Sequence, residues 1–481
     1  MFVNKKLEND VFFGQREEVL SLWPTGKEVD LDEAIEYNLH LQSLPEERNT
    51  AGKMKYGKEH NEQYAVTGMG KSTVDEQIEL LKYVEEEGRG EVLAISPDSM
   101  TRYNRFEEVQ KYMEESERTG ESKLNGVPVV NIGVKGVRRI VEAVKSPVTL
   151  RGGMPDGRLL AEILCAGGVS SNGPDLLMDF WQHSAKTPYE YVIGTHQYVG
   201  RLMGYYEEHG VPMFAGIQGF YGAAIPPSLQ SASTVIPALL LAEQGVKNIG
   251  IHCTGHGNLV QDVAANAARE KMVLYYLAKF GFSDVNIYKS VSLSLMQYPS
   301  DLAGSLAVNF MNTLLGKLVG AQLNDVRTMA EAKAIPTKEN IADTLKIARV
   351  MTNFIQNQKI EIDKEEQALQ MEMEEKEIRA IIDKVLEIGD GDILIGTERA
   401  IESGILDNPF AANRAAAAKV MGVKDSEGAV RYFETGNLPF SKEIVEYHKE
   451  KITQREIKQG MKVGYDTLVN DIYAISKGYL V

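Results

Sequence analysis

The sequence predicts an α/β protein built on a (β/α)8 TIM barrel, with a helical N-terminal extension and a small C-terminal α/β appendage. Three observations carry this. From residue 62 to 355, short β-rich runs alternate with helical periods, the signature of βαβ units around a parallel sheet. About seven or eight such units fit into roughly 290 residues, the size of a closed barrel. Hydrophobic residues make up 43% and charged residues 25%, enough apolar side chain for a large core in a chain of 481 residues. The resulting division is 1–60 for the extension, 61–357 for the barrel and 358–481 for the appendage.

Residues 1–60 are charged and helical, with one early turn at W-P-T-G (23–26). Candidate strands follow at 92–96, 127–132, 147–150, 212–215, 248–252, 285–291 and 321–326, with a possible first strand before residue 70. Amphipathic helices are predicted over 75–84, 136–144 and 158–164. Residues 359–385, rich in Glu and Lys, read as a solvated helix, with their methionine pair serving packing. Beyond 386, G-D-G-D-I-L-I-G-T and A-A-N-R-A-A-A-A-K-V indicate the α/β appendage.

Charge and cysteine usage exclude several classes. The formal charge of −16 argues against a phosphate-backbone partner. Two distant cysteines, Cys165 and Cys253, build no disulfide framework and suit a reducing cytosol. The N-terminus has no apolar leader segment, 235–242 is too short to span a bilayer, and 305–321 is interrupted by Asn309, Asn312 and Lys317. A cytoplasmic protein is expected.

The stretch A-V-T-G-M-G-K-S-T (65–73) comes close to a phosphate-binding loop. Gly70, Lys71 and Ser72 fit the end of G-x-x-x-x-G-K-[ST], but Ala65 stands at the first glycine. Thr73 and Glu76 form a capping box for a helix starting near Val74. Gly68 and Gly70 point instead to something large approaching the backbone at the C-terminal end of a first strand.

In I-H-C-T-G-H-G-N (251–258), His252, Cys253 and His256 lie close together, but further ligands at metal-site spacing are missing, so the segment reads as a polar loop at the barrel mouth and no metal is expected. Arg102 and Arg151 each follow a candidate strand. They read either as surface ion-pairing residues or as two guanidinium forks converging on an acidic substrate group. His183, near Asp179 and Gln182 in D-F-W-Q-H-S-A, reads as a general acid–base or as a partly buried polar residue. Hydrolase and nicotinamide-binding fingerprints do not occur.

Several stretches share a pattern: Q-R-E-E-V-L-S-L-W-P-T-G-K-E-V-D-L (15–31), L-N-G-V-P-V-V-N-I-G-V-K-G (124–136), P-D-G-R-L-L-A-E-I-L (155–164), L-A-E-Q-G-V-K-N-I (241–249), I-P-T-K-E-N (335–340), R-Y-F-E-T-G-N-L-P-F (431–440) and the ending D-I-Y-A-I-S-K-G-Y-L-V. Through them the chain resembles, along nearly its whole length, the large (epsilon) subunit family of glutamate mutase, or methylaspartate mutase. The resemblance implies a (β/α)8 barrel, isomerase activity by radical rearrangement of a carbon skeleton, and adenosylcobalamin as cofactor. It also implies a homodimer of the barrel subunit and a separate small cobalamin-binding subunit with a D-x-H-x-x-G motif, which this chain lacks.

Position by position, the resemblance makes Gly70, Asn125, Tyr298, Glu331 and Ile335 cofactor contacts, Tyr298 replacing the family's Phe. Arg327 replaces a Lys near the adenosyl group and Gln182 a Pro beside the cofactor. Asn125 falls before the candidate strand at 127–132. Arg102 and Arg151 match two of three substrate-gripping arginines, and Gly68 occupies the place of the third. Gly173 replaces a substrate-binding Glu, Asp179 and His183 replace two substrate-binding Tyr, and Gly152 replaces a His beside Arg151. The cofactor positions are largely kept while the substrate grip has changed. The expectation is a mutase for a glutamate-related amino acid of altered specificity, with one carboxylate on Arg102 and Arg151 and a second ammonium, as in a diamino acid, on Asp179. His183 and Glu331 are its catalytic candidates. The alternatives are a genuine glutamate mutase making 3-methylaspartate, or a non-catalytic barrel partner of a cobalamin-binding subunit.

Overall fold

The computed structural model describes residues 2–44, 48–220, 222, 224–293, 298–331 and 334–477. The last four residues of the family-like ending lie outside them.

The chain is mixed α/β around a curled parallel sheet. Its strands are β1 (Tyr64–Val66), β2 (Gly68–Met69), β3 (Leu93–Ile95), β4 (Val148–Leu150), β5 (Ser171–Asn172), β6 (Phe214–Ile217), β7 (Asn248–Gly255), β8 (Asn286–Leu293) and β9 (Leu323–Asp325). Six of them pair in the order β1-β9-β8-β7-β6-β5 and three in the order β2-β3-β4, with parallel pairing throughout. Strands β1 and β2 are halves of one run broken at Thr67, so the curl passes from one ladder to the other. Between β4 and β5, Leu150 N–H donates to Ser171 Oγ at 3.0 Å, and Thr149 Oγ1 lies 2.8 Å from Ser171 Oγ.

Strand β7 is buried at every residue, as expected of a parallel strand covered on both faces. Inside the curl, Tyr64, Val66, Ala94, Phe214, Tyr288 and Leu323 cluster with Ala51 and Met54 of the helix Thr50–His60. This apolar cluster plugs the amino-terminal end of the sheet. The carboxyl-terminal end stays open and polar.

Most expected strands are found with shifted edges, and four expectations need correction. Residues 127–132 are not a strand. Val127 makes a single parallel bridge to Pro97, and the helix Val129–Glu142 follows, kinked at Gly133 with φ +65. Its β-branched start imitates a strand, while Pro128, which lacks an N–H, sits where helix entry tolerates it. Asn125 therefore lies in a loop after β3, with its side chain accepting Ser99 N–H at 3.0 Å.

Second, Lys364–Ile388 is a helix but not a solvated one. Ile378, Ile381, Ile382 and Val385 are fully buried against the helices Leu259–Lys279 and Pro227–Glu243. Met373 packs with them, and even Glu374 is buried, accepting from Ser231 Oγ at 3.1 Å. Third, His252 and Cys253 belong to β7 itself rather than to a mouth loop. Strand β5 is the fourth: two polar residues carry too little periodicity to announce a strand.

The glycines of the opening loop have an internal reason. A Cβ on Gly70 would lie 2.6 Å from Gly126 Cα and 2.8 Å from Ser96 O, so the close approach is between the protein's own loops. Thr73 accepts Glu76 N–H at 3.3 Å and caps Val74–Glu86. Ser72 is fully buried and bonded to Ser122 and to Leu124 N–H, which leaves no hydroxyl for a phosphate. Substituting Gly70→Ala is expected to destabilise the chain by about 1–3 kcal/mol through overpacking, read as a lowered denaturant midpoint.

Candidate functional site

A cavity of about 450 Å³ opens at the carboxyl ends of the parallel strands. Its floor is the upper side of the apolar cluster, through Val66, Ala94, Phe214 and Leu323. Its walls carry charge, and each charged group is delivered by a strand end.

Arg102 comes from the 3-10 turn Thr101–Tyr103 after β3. Asp98 builds that turn, accepting Met100 N–H at 2.9 Å and Thr101 N–H at 3.0 Å. Burial pushes the Asp98 carboxyl up despite these bonds. The Nε of Arg102 is buried without a hydrogen-bond partner, a cationic donor held ready inside the cavity wall.

Arg151 directly follows β4 and donates from Nη2 to Asp325 Oδ2 at 3.0 Å. Arg327 reaches the same oxygen from Nη2 at 3.4 Å and Glu331 from Nη1 at 3.3 Å. Burial opposes ionisation of Asp325, but the charges of Arg151 and then Arg327 outweigh it and hold the carboxyl below its usual range. A Cβ on Gly68 would lie 2.8 Å from Arg151 Nη1. The room beside Gly68 is thus filled by Arg151 itself.

On the opposite wall, Gly173 is open: a Cβ there would meet only Gly216 O, at 3.2 Å. His183 lines the cavity at the end of the helix Leu176–Gln182. Asp179 stands behind it, almost fully buried, bonded to His183 Nδ1 at 2.6 Å and His196 Nε2 at 2.9 Å. Both carboxylate oxygens are therefore engaged by imidazoles, which corrects the expectation that Asp179 itself grips an ammonium. Gly153 makes room for this arrangement, since a Cβ there would come within 2.2 Å of Asp179 Oδ1. Nearby, burial and the Asp179 charge push the Asp175 carboxyl up to about 6.

The structure brings Arg102, Arg151, Gly152, Gly173, His183, Arg327 and Glu331 to this one cavity. Gly70 and Ile335 line a second hollow of about 490 Å³ with Leu124, the neighbour of Asn125. Tyr298 lies behind Arg327, its hydroxyl donating to the Arg327 carbonyl at 3.2 Å, and does not line either hollow. Gln182 is buried beside His183. Asp325, His196 and His252 were not singled out by sequence for this cavity. Asp325 had a readable signal, a carboxylate at the end of an expected strand and two residues before Arg327. His196, inside the long helix Tyr189–Glu208, had none. Among the described residues, no group of His, Cys, Asp and Glu could hold a metal ion. Both cysteines are buried, and burial raises both thiols, Cys253 to about 11.

A small, charged cavity at the carboxyl ends of a parallel sheet is where α/β enzymes hold small polar molecules. A family model described as methylaspartate mutase E chain matches residues 44–481, and the chain belongs to that family. The glutamate mutase epsilon subunits of Treponema denticola and Desulfitobacterium hafniense are 38% and 37% identical to it, each over 99% of this chain and 98% of the relative. That of Haloarcula marismortui is 32% identical over 100% of this chain and 96% of the relative. Glutamate mutase is a cobalamin-dependent isomerase, and family membership places this chain among the isomerases. The relatives' designation as epsilon subunits implies partner chains in those enzymes.

His252 tests the electrostatics of the cavity floor. Its Nδ1 lies 2.7 Å from Ser290 Oγ and its Nε2 2.8 Å from Ser292 Oγ, and burial pushes the ring down to about 3. The unfolded chain takes up a proton at this histidine below about pH 6.5 while the folded chain does not, so folding loses stability as pH falls toward the folded value. His252→Gln lacks that loss. The stability advantage of the wild type over the variant is expected to shrink by about 2 kcal/mol between about pH 7.5 and about pH 5, measured by denaturant unfolding at both pH values.

Proposed function

We propose that this chain is the catalytic barrel subunit of an adenosylcobalamin-dependent carbon-skeleton mutase acting on a glutamate-related amino acid, with a specificity altered from that of glutamate mutase. The sheet closes as a (β/α)8 barrel across the Thr149–Ser171 seam, flanked by 1–60 and 358–481. The subunit works in the cytoplasm, as a homodimer, with a small D-x-H-x-x-G subunit. The carrying observation is the cavity in which Arg102 presents a buried, unpartnered Nε beside Arg151.

The residues fit the cofactor's adenosyl end. Arg327 and Glu331 offer a donor and an acceptor to ribose hydroxyls at the cavity wall. Ile335 is 68% exposed, an apolar side chain presented at the second hollow, which Gly70 also lines. Adenosylcobalamin supplies, when bound, an organic radical that removes and returns a substrate hydrogen. The chain's own residues bind, orient and shield. Arg102 takes a substrate carboxylate, with Arg151 beside it kept in place by Asp325. The apolar floor keeps water from the reacting carbons. The open place at Gly173 admits a substrate of different shape from one held by a glutamate side chain.

Charge narrows the substrate. Three guanidinium groups line the cavity against the carboxylates of Asp325 and Glu331, leaving a single positive charge. That matches a ligand of one net negative charge, such as an amino acid with a second acidic group. A diamino monocarboxylate matches less well.

The test is reconstitution with a cobalamin-binding subunit and adenosylcobalamin, screening amino acids for radical signals by EPR. A signal with a glutamate relative other than L-glutamate is expected. Absence of cofactor affinity in the complex overturns the reading, and brisk formation of 3-methylaspartate from L-glutamate replaces it with genuine glutamate mutase. In the active complex, Arg102→Met is expected to lower kcat/KM about tenfold to a hundredfold, the loss of a charge-assisted hydrogen bond.

A further inference from the structure

Behind the cavity wall, Asp179 joins two histidines whose hydrogen-bond polarity can be read from their partners. His196 Nδ1 lies 2.8 Å from the Val192 carbonyl, which only accepts, so Nδ1 carries a hydrogen. His196 Nε2 lies 2.9 Å from Asp179 Oδ2, so with Nδ1 already donating a second proton is held between these two atoms, and whichever of them carries it, Oδ1 only accepts. The other oxygen, Oδ1, lies 2.6 Å from His183 Nδ1. Oδ1 accepts, so a neutral His183 donates through Nδ1 and its Nε2 is left with a lone pair. His183 lines the cavity, and among the described residues Nε2 has no hydrogen-bond partner and is not a buried atom. Tyr103 donates to the His183 carbonyl at 3.1 Å, tying the Arg102 turn to the same rim.

We infer that His183 Nε2 is the acceptor for the substrate's amino group, and that Asp179 and His196 are positioning residues that fix the His183 tautomer. This rests on the proposed amino-acid substrate. Gly173 leaves this side of the cavity without an acidic side chain, and His183 supplies the missing acceptor. Asp179 cannot do so directly, being held between two rings. A neutral imidazole adds no charge, so the cavity keeps its single positive charge for a ligand with one net negative charge. The buried His196 acts as the fixed end of the chain. Its Nδ1–H is locked to the Val192 carbonyl, which fixes the ring and with it the place of Nε2 against Asp179 Oδ2.

The experiment has two arms on the full-length chain. Nitrogen-15 NMR of the eight histidines, assigned through His183→Phe and His196→Phe, reads the tautomers directly. A hydrogen on Nδ1 and a bare Nε2 at His183 are expected; the opposite tautomer overturns the inference. Calorimetric titration then compares L-glutamate with glutarate, the same diacid without the amino group. The amino compound is expected to bind about tenfold tighter or more. His183→Phe should abolish that preference, and His196→Phe should reduce it, while glutarate affinity stays unchanged in both. A purely structural role would move both affinities together and overturns the inference, as does a preference that survives His183→Phe. If the tautomers are as expected but neither compound binds, a ligand with one amino and two carboxylate groups is excluded, and the acceptor role argued for it is overturned.

Discussion

Asp325 is the group on which the site depends. It is a half-buried carboxylate at the end of β9, and an unpaired charge there would be costly. Arg151 from the end of β4 and Arg327 from the loop after β9 share one of its oxygens. The pairing spans strands far apart in sequence, 174 positions between Arg151 and Asp325. It holds two guanidinium groups at the cavity wall that would otherwise repel each other. Removing Asp325 would take from Arg151 and Arg327 the carboxylate they share, with Glu331 still bonded to Arg327.

The backbone around Asp325 is fixed by residues that look misplaced in the sequence. The helix Leu302–Val319 is, among the described residues, the one helix long and apolar enough to cross a membrane. Yet Asn309 and Asn312 interrupt it, and both are buried. Asn309 donates to the Arg327 carbonyl at 2.8 Å and accepts Arg327 N–H at 3.2 Å. Asn312 donates to the Asp325 carbonyl at 3.0 Å and to Asn324 Oδ1 at 2.7 Å. Where β9 ends, its backbone groups lose their ladder partners, and these amides replace them. The helix therefore packs against the sheet and the neighbouring helices through its apolar side chains, and its polar interruptions set the height at which Arg327 meets the cavity.

Repeating βα periodicity made the parallel sheet legible, because buried strands such as β7 are runs that water never touches. What misled was local composition without its context. The run at 127–132 is β-branched yet helical, since Pro128 and the packing of Val129, Val130 and Val134 decide it. The acidic helix at 364–388 buries glutamates because Ser231 and His448 reach them from other parts of the chain. Arg102 and Arg151 could be placed at strand ends from sequence, and His183 singled out beside Asp179 and Gln182. Their partners could not: Asp325 lies 174 positions from Arg151, and His196 is one ordinary residue of a long helix.

The glycines of the cavity make sense only as a set with the side chains they accommodate. Glycine at 68 leaves space, and Arg151 fills it while turning toward Asp325. Glycine at 173 removes a side chain from the opposite wall, and glycine at 153 opens the place into which Asp179 and His183 fold. A histidine at 183 without Asp179 would be free to rotate. Asp179 without Gly153 would clash, and without His196 it would have an unsatisfied buried oxygen. The P-loop-like stretch at 65–73 is one visible edge of this arrangement. Its Gly68 leaves room for Arg151 as Gly153 leaves room for Asp179 and His183, so side chains of the site take up the space beside the backbone.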